Sequence, residues 1–307
     1  MEINKKRYRD VDSYFKRKFN KKIIKIPLDG GFTCPNRDGK ISKLGCIYCS
    51  ENGAGDFTKY DNLDKQIDYQ IKRLKNPKRK EGYMAYFQNF TSTYGDFEKI
   101  KKLFYKAINN QNIMGLSIAT RADCLSDEVI DLLDDLNKKT FLIVELGLQS
   151  VNEKSIEFIN RGYSHKEFDK GLLKLKEKNI KCLAHLIIGL PNEDLDDYLR
   201  AISYINEREF WAIKIHNLYI EKGSRIYDYY LENQNEFTMT LDEFVDYVIL
   251  ILENLDPNII VQRLTGDGRR DRIIWPIWSK NKAKVLSTID KKLKERNKNQ
   301  GDLWKEK

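Results

Sequence analysis

Cys34, Cys46 and Cys49 fall within 16 residues, in the stretch Gly30-Gly-Phe-Thr-Cys-Pro-Asn-Arg-Asp-Gly-Lys-Ile-Ser-Lys-Leu-Gly-Cys-Ile-Tyr-Cys49, with spacing C-x11-C-x2-C. Cysteine thiolates are the usual ligands of iron–sulfur clusters. Three of them on a four-iron cluster leave one iron open to a small molecule. An electron-transfer ferredoxin would want a fourth cysteine nearby, and a structural zinc site a fourth Cys or His. The only histidines are His165, His185 and His216, and the remaining cysteines, Cys124 and Cys182, are distant in sequence. Spacing alone leaves three readings: a cluster with an open iron, a zinc knuckle completed from afar, or unliganded buried thiols. An odd total of five cysteines, three of them close together, argues against a secreted disulfide scaffold.

Three further groups have chemistry to offer. Lys214 and His216 alternate along one strand-like segment and so share a face. His185 sits in the preceding such segment, where a histidine serves equally as a core group or a ligand. A lysine sharing that face is harder to explain as core, because a buried lysine needs a partner. The segment Gln262–Arg270 has glycines and carries Arg263, Arg269 and Arg270. It reads either as a loop that grips an anion or as an ordinary charged loop.

A β/α alternation must position these residues. Strands are expected at 22–28, 82–88, 113–120, 141–149, 181–189 and 211–220. Helices are expected at 62–75, 96–109, 126–136, 152–160, 165–178 and 193–207. Ser126 supplies an N-cap for the third helix. The cysteines lie in a loop over 29–57, after the first strand, at the carboxyl end of a parallel sheet where α/β folds place their sites. Six strand–helix units fall short of a closed eightfold barrel, so the fold class is α/β with a partial barrel. Beyond it come a helix at 241–254, a short strand at 258–263 and a lysine-rich helix at 281–298. The expected organisation is a basic segment over 1–21, a core over 22–233 and a C-terminal α+β extension over 234–307, packed on the core.

The composition is that of a soluble globular protein, with 41% hydrophobic and 33% charged residues. No apolar run approaches a membrane span, and no signal peptide opens the chain, so the expected location is the cytoplasm. The net charge of +9 is uneven. Residues 1–25 carry +7 and residues 281–307 carry +5, which leaves −3 for the rest. Concentrated positive charge at the ends suits a phosphate backbone, although solvated lysine faces are common in such sequences.

The cysteine loop and four downstream segments resemble a radical S-adenosylmethionine (SAM) family. Those segments are Tyr86–Tyr94, Ser117–Leu125, Glu145–Ser150 with Asn160-Arg-Gly162 behind it, and Ile188-Gly-Leu-Pro191. More narrowly, the chain resembles the bacterial family containing YhcC and YtqA, related to the catalytic subunit of Elongator. The resemblance spans about residues 10–280 and implies a partial (βα)6 radical-SAM barrel. It implies that Cys34, Cys46 and Cys49 hold a [4Fe–4S] cluster on which SAM is cleaved to a 5′-deoxyadenosyl radical. The cofactor carries the hard chemistry, and the protein supplies binding and orientation.

The same resemblance implies roles for other residues. Tyr48 runs along the adenine, Gln149 meets the ribose, and Arg161 pairs with the SAM carboxylate. Glu145 serves the SAM amine or orders Arg161, and Gly189 and Pro191 let backbone approach the adenine. The second strand lacks the Gly-Gly-Glu-type motif of many such enzymes. Gln88, Thr91 or the backbone there would take over the SAM amine. Ala119 stands where Elongator-like relatives carry an acid. Lys214, His216, His185, Arg263, Arg269 and Arg270 remain as substrate-side candidates.

A YtqA-like branch, called MnmL, implies transfer RNA as partner. It converts the wobble 5-carboxymethylaminomethyl-uridine to the aminomethyl form. A reducing electron donor such as flavodoxin or ferredoxin is also implied. The competing expectations are a radical-SAM enzyme on a small metabolite or protein, and a non-catalytic iron–sulfur or zinc protein binding RNA.

Overall fold

A computed structural model describes residues 6–50 and 61–306. Part of the expected cysteine loop, 51–57, and the first five residues of the basic segment lie outside the described residues. The elements run α1 (Val11–Phe19), β1 (Lys22–Leu28), α2 (Leu63–Leu74), β2 (Glu81–Phe87), α3 (Phe97–Ile108), β3 (Ile113–Thr120), α4 (Asp127–Lys139) and β4 (Phe141–Gln149). They continue α5 (Glu153–Phe158), α6 (His165–Glu177), β5 (Lys181–Ile188), α7 (Leu195–Glu207), β6 (Ala212–Asn217), β7 (Ile220–Glu221) and α8 (Arg225–Glu232). The chain finishes with α9 (Leu241–Asn254), β8 (Ile260–Arg263), β9 (Ile273–Trp275) and α10 (Lys282–Glu295).

Seven strands form one sheet in the order β1-β2-β3-β4-β5-β6-β8, and β7 pairs with β9 in a second. The order ends at β1 and β8, so the expected partial barrel of six strand–helix units is observed. The expected strand at 258–263 joins the main sheet as its seventh member. Its apolar Ile260 and Val261 are buried and lie parallel to Ala212 and Ile213 of β6. No helix among the described residues is long and apolar enough to cross a membrane.

The chain divides into two compact units. One comprises 12–147 and 161–183, the other 1–11, 148–160 and 184–307. In the first, β1 to β4 are parallel neighbours in sequence order. Ser126 caps α4 as expected, its side chain accepting from Val129 N–H. Ser164 and Glu167 cap α6 reciprocally. Helix α1 carries Phe15 and Phe19 four residues apart, and their rings pack at 5.8 and 5.5 Å on Phe141, the first residue of β4. Its position is therefore the amino edge of the sheet, with Lys18 over the same ring at 5.2 Å.

In the second unit, the Asp194/Asp197 and Thr240/Glu243 boxes start α7 and α9. Helix α10 lies on α9 with its cations facing acids. Lys292 reaches Asp242 and Asp246 at 2.9 and 3.2 Å, and Arg296 reaches Asp246 at 2.8 Å. At the other chain end, Arg9 donates to the Asn258 carbonyl at 2.8 Å and Arg7 to Asn297 at 3.0 Å. Part of the terminal positive charge is thus paired with acids or carbonyls of the same unit.

Candidate functional site

The first unit holds the cysteine loop at the carboxyl end of β1. Two short turns shape it. Arg37 and Asp38 N–H donate to the Cys34 carbonyl at 2.8 and 3.1 Å, and Cys49 N–H to the Cys46 carbonyl at 3.1 Å. Gly45 has φ +71°, where a Cβ would come within 2.8 Å of Arg37 Nε, so the tight turn requires glycine. The Arg37 guanidinium closes the loop from behind, donating to the Ser50 carbonyl at 2.6 Å. Thr91 N–H donates to the Thr33 carbonyl at 3.1 Å, which ties the loop to the segment after β2.

All five cysteines are unbridged. Of the neighbours Cys46 and Cys49, Cys46 is the readier thiolate. Its pKa falls to about 6 through the Cys49 hydrogen bond, helped by the charge of Arg121 and by Asn36, whose amide lies 3.7 Å from the sulfur. The charge of a Cys46 thiolate and burial push Tyr48 well up, burial being the larger effect. Cys124, distant in sequence, comes near enough to Cys34 for their charges to interact. Burial and Asp123 push its thiol up to about 12. Cys182 is buried and likewise pushed up to about 12. No three His, Cys, Asp or Glu side chains among the described residues are gathered on a point where a single metal ion would sit. Three unbridged thiols on one pre-shaped loop, with cationic Arg121 near Cys46, fit a thiolate-bound group.

Arg161 is 2% exposed and so is no surface charge. Its Nε and Nη2 donate to the Tyr163 carbonyl at 3.1 and 3.0 Å. The Tyr163 ring lies 4.4 Å from the Arg161 guanidinium and 4.6 Å from that of Arg121. Arg121 forks onto Asp123 at 2.9 and 2.8 Å. Sequence reasoning quoted Arg121 within a motif and gave it no role.

Glu145, 1% exposed, contacts Lys25 Nζ and accepts from Ser117 Oγ at 2.7 Å and Tyr86 OH at 3.1 Å. Lys25 also donates to Ser117 Oγ at 2.9 Å. These four residues form a polar network across β1 to β4. Its legible signal was a lysine inside the apolar run of β1. Thr91 is buried and Gln88 half-buried, both just past β2.

The second unit carries the other sequence-derived candidates. Gln149, the last residue of β4, has φ +67°, an uncommon conformation for a residue with a side chain. Gly189 has φ +96°, and its N–H donates to Tyr198 OH at 3.0 Å. Pro191 is buried, and Glu193 follows it with its carboxylate on Ser150 Oγ. Burial lifts Glu193 to about 7, with Asp197 and Asp194 adding to the shift and the bond from Ser150 opposing it. Sequence reasoning missed Glu193.

Lys214 is 5% exposed, and the His185 and His216 rings lie 5.4 Å apart at 31°. That ring contact puts His185 on the face shared by Lys214 and His216. Arg263 Nη2 lies 3.6 Å from Asp267, itself 2.8 Å from Lys282. Arg269 pairs with Asp271 at 2.7 Å, and Arg270 is exposed. The base of this arginine loop is fixed, because Asn217 Oδ1 accepts from Thr265 Oγ1 at 2.9 Å and Gly266 N–H at 2.8 Å.

Residues 38–205 match the family model described as the Radical SAM superfamily, and residues 210–295 match the Radical_SAM C-terminal domain. The uncharacterized protein YtqA of Bacillus subtilis (strain 168) is 40% identical over 302 residues, 97% of this chain and 93% of its own length. Protein YhcC of Escherichia coli (strain K12) is 31% identical over 290 residues, 91% of this chain and 90% of its own. The tRNA uridine(34) acetyltransferase of Methanocaldococcus jannaschii is 26% identical over 118 residues, 38% of this chain and 21% of its own. Among solved structures, Elp3 of Methanocaldococcus infernus superposes with a TM-score of 0.64 at 15% identity, over 91% of this chain and 64% of that one. That likeness is one of fold.

Proposed function

The chain belongs to the radical SAM superfamily, and on that premise we propose that it modifies the wobble uridine of transfer RNA. It is a radical SAM enzyme. Cys34, Cys46 and Cys49 would hold a [4Fe–4S] cluster, a reading supported by three unbridged thiols on one loop whose turns close on the Cys34 and Cys46 carbonyls. When bound, the cluster and SAM supply one-electron cleavage of the sulfonium and a hydrogen-abstracting carbon radical. Arg161 would hold the SAM carboxylate; the Tyr163 carbonyl holds its Nε and Nη2, and Arg121 holds its backbone carbonyl. Tyr48 would run along the adenine, Gly189 and Pro191 would let backbone approach it, and Gln149 would meet the ribose. Gln88 or Thr91 would meet the amine. Glu145 would act through its Lys25, Ser117 and Tyr86 network.

The finer reading is removal of the carboxymethyl group from 5-carboxymethylaminomethyl-uridine, leaving the aminomethyl form. The observation that carries it is the near full-length identity with YtqA, 40% against 31% for YhcC. The local likeness to a tRNA uridine(34) acetyltransferase supports the same substrate class. Cytoplasmic location and a flavodoxin- or ferredoxin-type electron donor belong to this reading. Nucleoside mass spectrometry of transfer RNA from a strain lacking the gene tests it. The carboxymethylaminomethyl form should accumulate and the aminomethyl form should fall. Unchanged nucleosides would return the enzyme to a metabolite or protein substrate.

A further inference from the structure

Strand β8 carries one residue more than the strand it pairs with. Ile213 stands opposite Val261 and Lys214 opposite Arg263, so Gln262 is the extra residue of a bulge. A bulge sets two consecutive residues against one partner position and re-aims their side chains, often beside a site. Here Gln262 and Arg263 both fall against Lys214.

The amide of Gln262 has its oxygen and its nitrogen buried, and neither has a hydrogen-bond partner in the described structure. Native folds rarely leave such a group unsatisfied, and each case asks for an explanation. A primary amide presents a donor and an acceptor side by side. The strand it pairs with, in the second unit, brings cationic and aromatic groups to the same register. Lys214 is nearly buried, His216 shares its face two residues on, and the His185 ring lies 5.4 Å from that of His216. None of these groups belongs to the proposed cofactor set.

Resting on the RNA reading above, we propose that Gln262, Lys214 and the His185–His216 pair form the subsite for the substrate base. The Gln262 amide pairs in plane with the imide edge of a uracil ring, whose N3–H and neighbouring carbonyl are its complement. The Lys214 ammonium meets the carboxylate carried at C5. The imidazoles offer a flat wall to the ring.

Two anticodon stem-loop oligonucleotides test this with the full chain. One carries 5-carboxymethylaminomethyl-uridine at the wobble position, and the other is baseless there. The wild type should bind the first about tenfold or more tightly, the value of a good two-bond contact to a base. Gln262→Met should bring that ratio close to one and leave affinity for the baseless oligonucleotide unchanged. Its Tm should equal or exceed that of the wild type, because it removes an unpaired buried amide, whereas loss of a structural amide would lower Tm. If Gln262→Met keeps the full ratio, or loses it only with a lowered Tm, the subsite is overturned while the RNA reading stands. If the wild type does not distinguish the two oligonucleotides, the RNA reading fails and the subsite falls with it.

Discussion

Arg121 donates a hydrogen bond of 2.8 Å from its guanidinium to the backbone carbonyl oxygen of Arg161. The two residues are forty positions apart, one after β3 and the other before α6. The bond, with the fork on Asp123, makes Arg121 the tie between two loops at the carboxyl edge of the sheet. Arg121→Gln leaves Asp123 nearly buried without its cation and should lower stability by about 3 kcal/mol in urea denaturation. Arg121→Lys should recover less than half, since a point charge cannot make three directed bonds. A loss under about 0.5 kcal/mol, the range of ordinary surface changes, would mean that the tie is not structural.

The cysteines are separable by iron content. Anaerobically reconstituted wild type should hold about four irons per chain, the count of one [4Fe–4S] cluster. Cys34→Ala, Cys46→Ala and Cys49→Ala should each lose them. Cys124→Ala and Cys182→Ala should keep them, because neither thiol lies on the loop that carries the other three. Cys124 is the demanding control, being the cysteine within electrostatic reach of Cys34. Iron loss in that variant would enlarge the ligand set.

Glu193 gives the fold a pH dependence of known sign. Its pKa rises from 4.5 to about 7 on folding, so the native state favours the protonated carboxyl. Its contribution is greatest below pH 4.5 and is lost as pH climbs through 7. Glu193→Gln keeps an acceptor for Ser150 and carries no charge. It should match the wild type at pH 4 and exceed it at pH 8 by on the order of 3 kcal/mol. Thermal melts across that range would show the gap opening with pH, and a constant gap would refute the assignment.

The charge map of the termini needs redrawing. Helix α1, with Lys16, Arg17 and Lys18, packs on Phe141 at the amino edge of β4. The cysteine loop lies at the carboxyl edge, roughly 26 Å away at the rise of a strand. Among the described residues of the cysteine loop, Lys40 and Lys43 are exposed cations. Neutralising that pair should flatten the salt dependence of RNA binding by nearly two counterions. The Lys16, Arg17 and Lys18 triple change should flatten it less. A larger effect from α1 would mean that RNA wraps to the far edge.

Most of the strand positions were legible because β1, β3 and β4 are long enough to show their burial in composition alone. The pair β7 and β9, two and three residues long, has no periodicity to read, and its partners are some fifty residues apart. Helix α1 did advertise itself, through Phe15 and Phe19 at one-turn spacing, beneath a composition that reads as a basic tail. The cysteines and Arg161 were found by motif. Lys25, Arg121 and Glu193 were not, because each is defined by what it meets: a carboxylate three strands away, a carbonyl forty residues on, a serine on another loop. Gln262 is less visible still, since a bulge is a property of two strands and neither sequence contains it.

Several bonds that shape the cysteine loop end on carbonyl oxygens, those of Cys34, Pro35, Asn36, Cys46 and Ser50, while the Asn36 amide reaches the Cys46 sulfur itself. Carbonyls are indifferent to whether the thiols are reduced, oxidised or metallated. The turns that carry Cys34 and Cys46 are therefore held by acceptors that do not change when the sulfurs do.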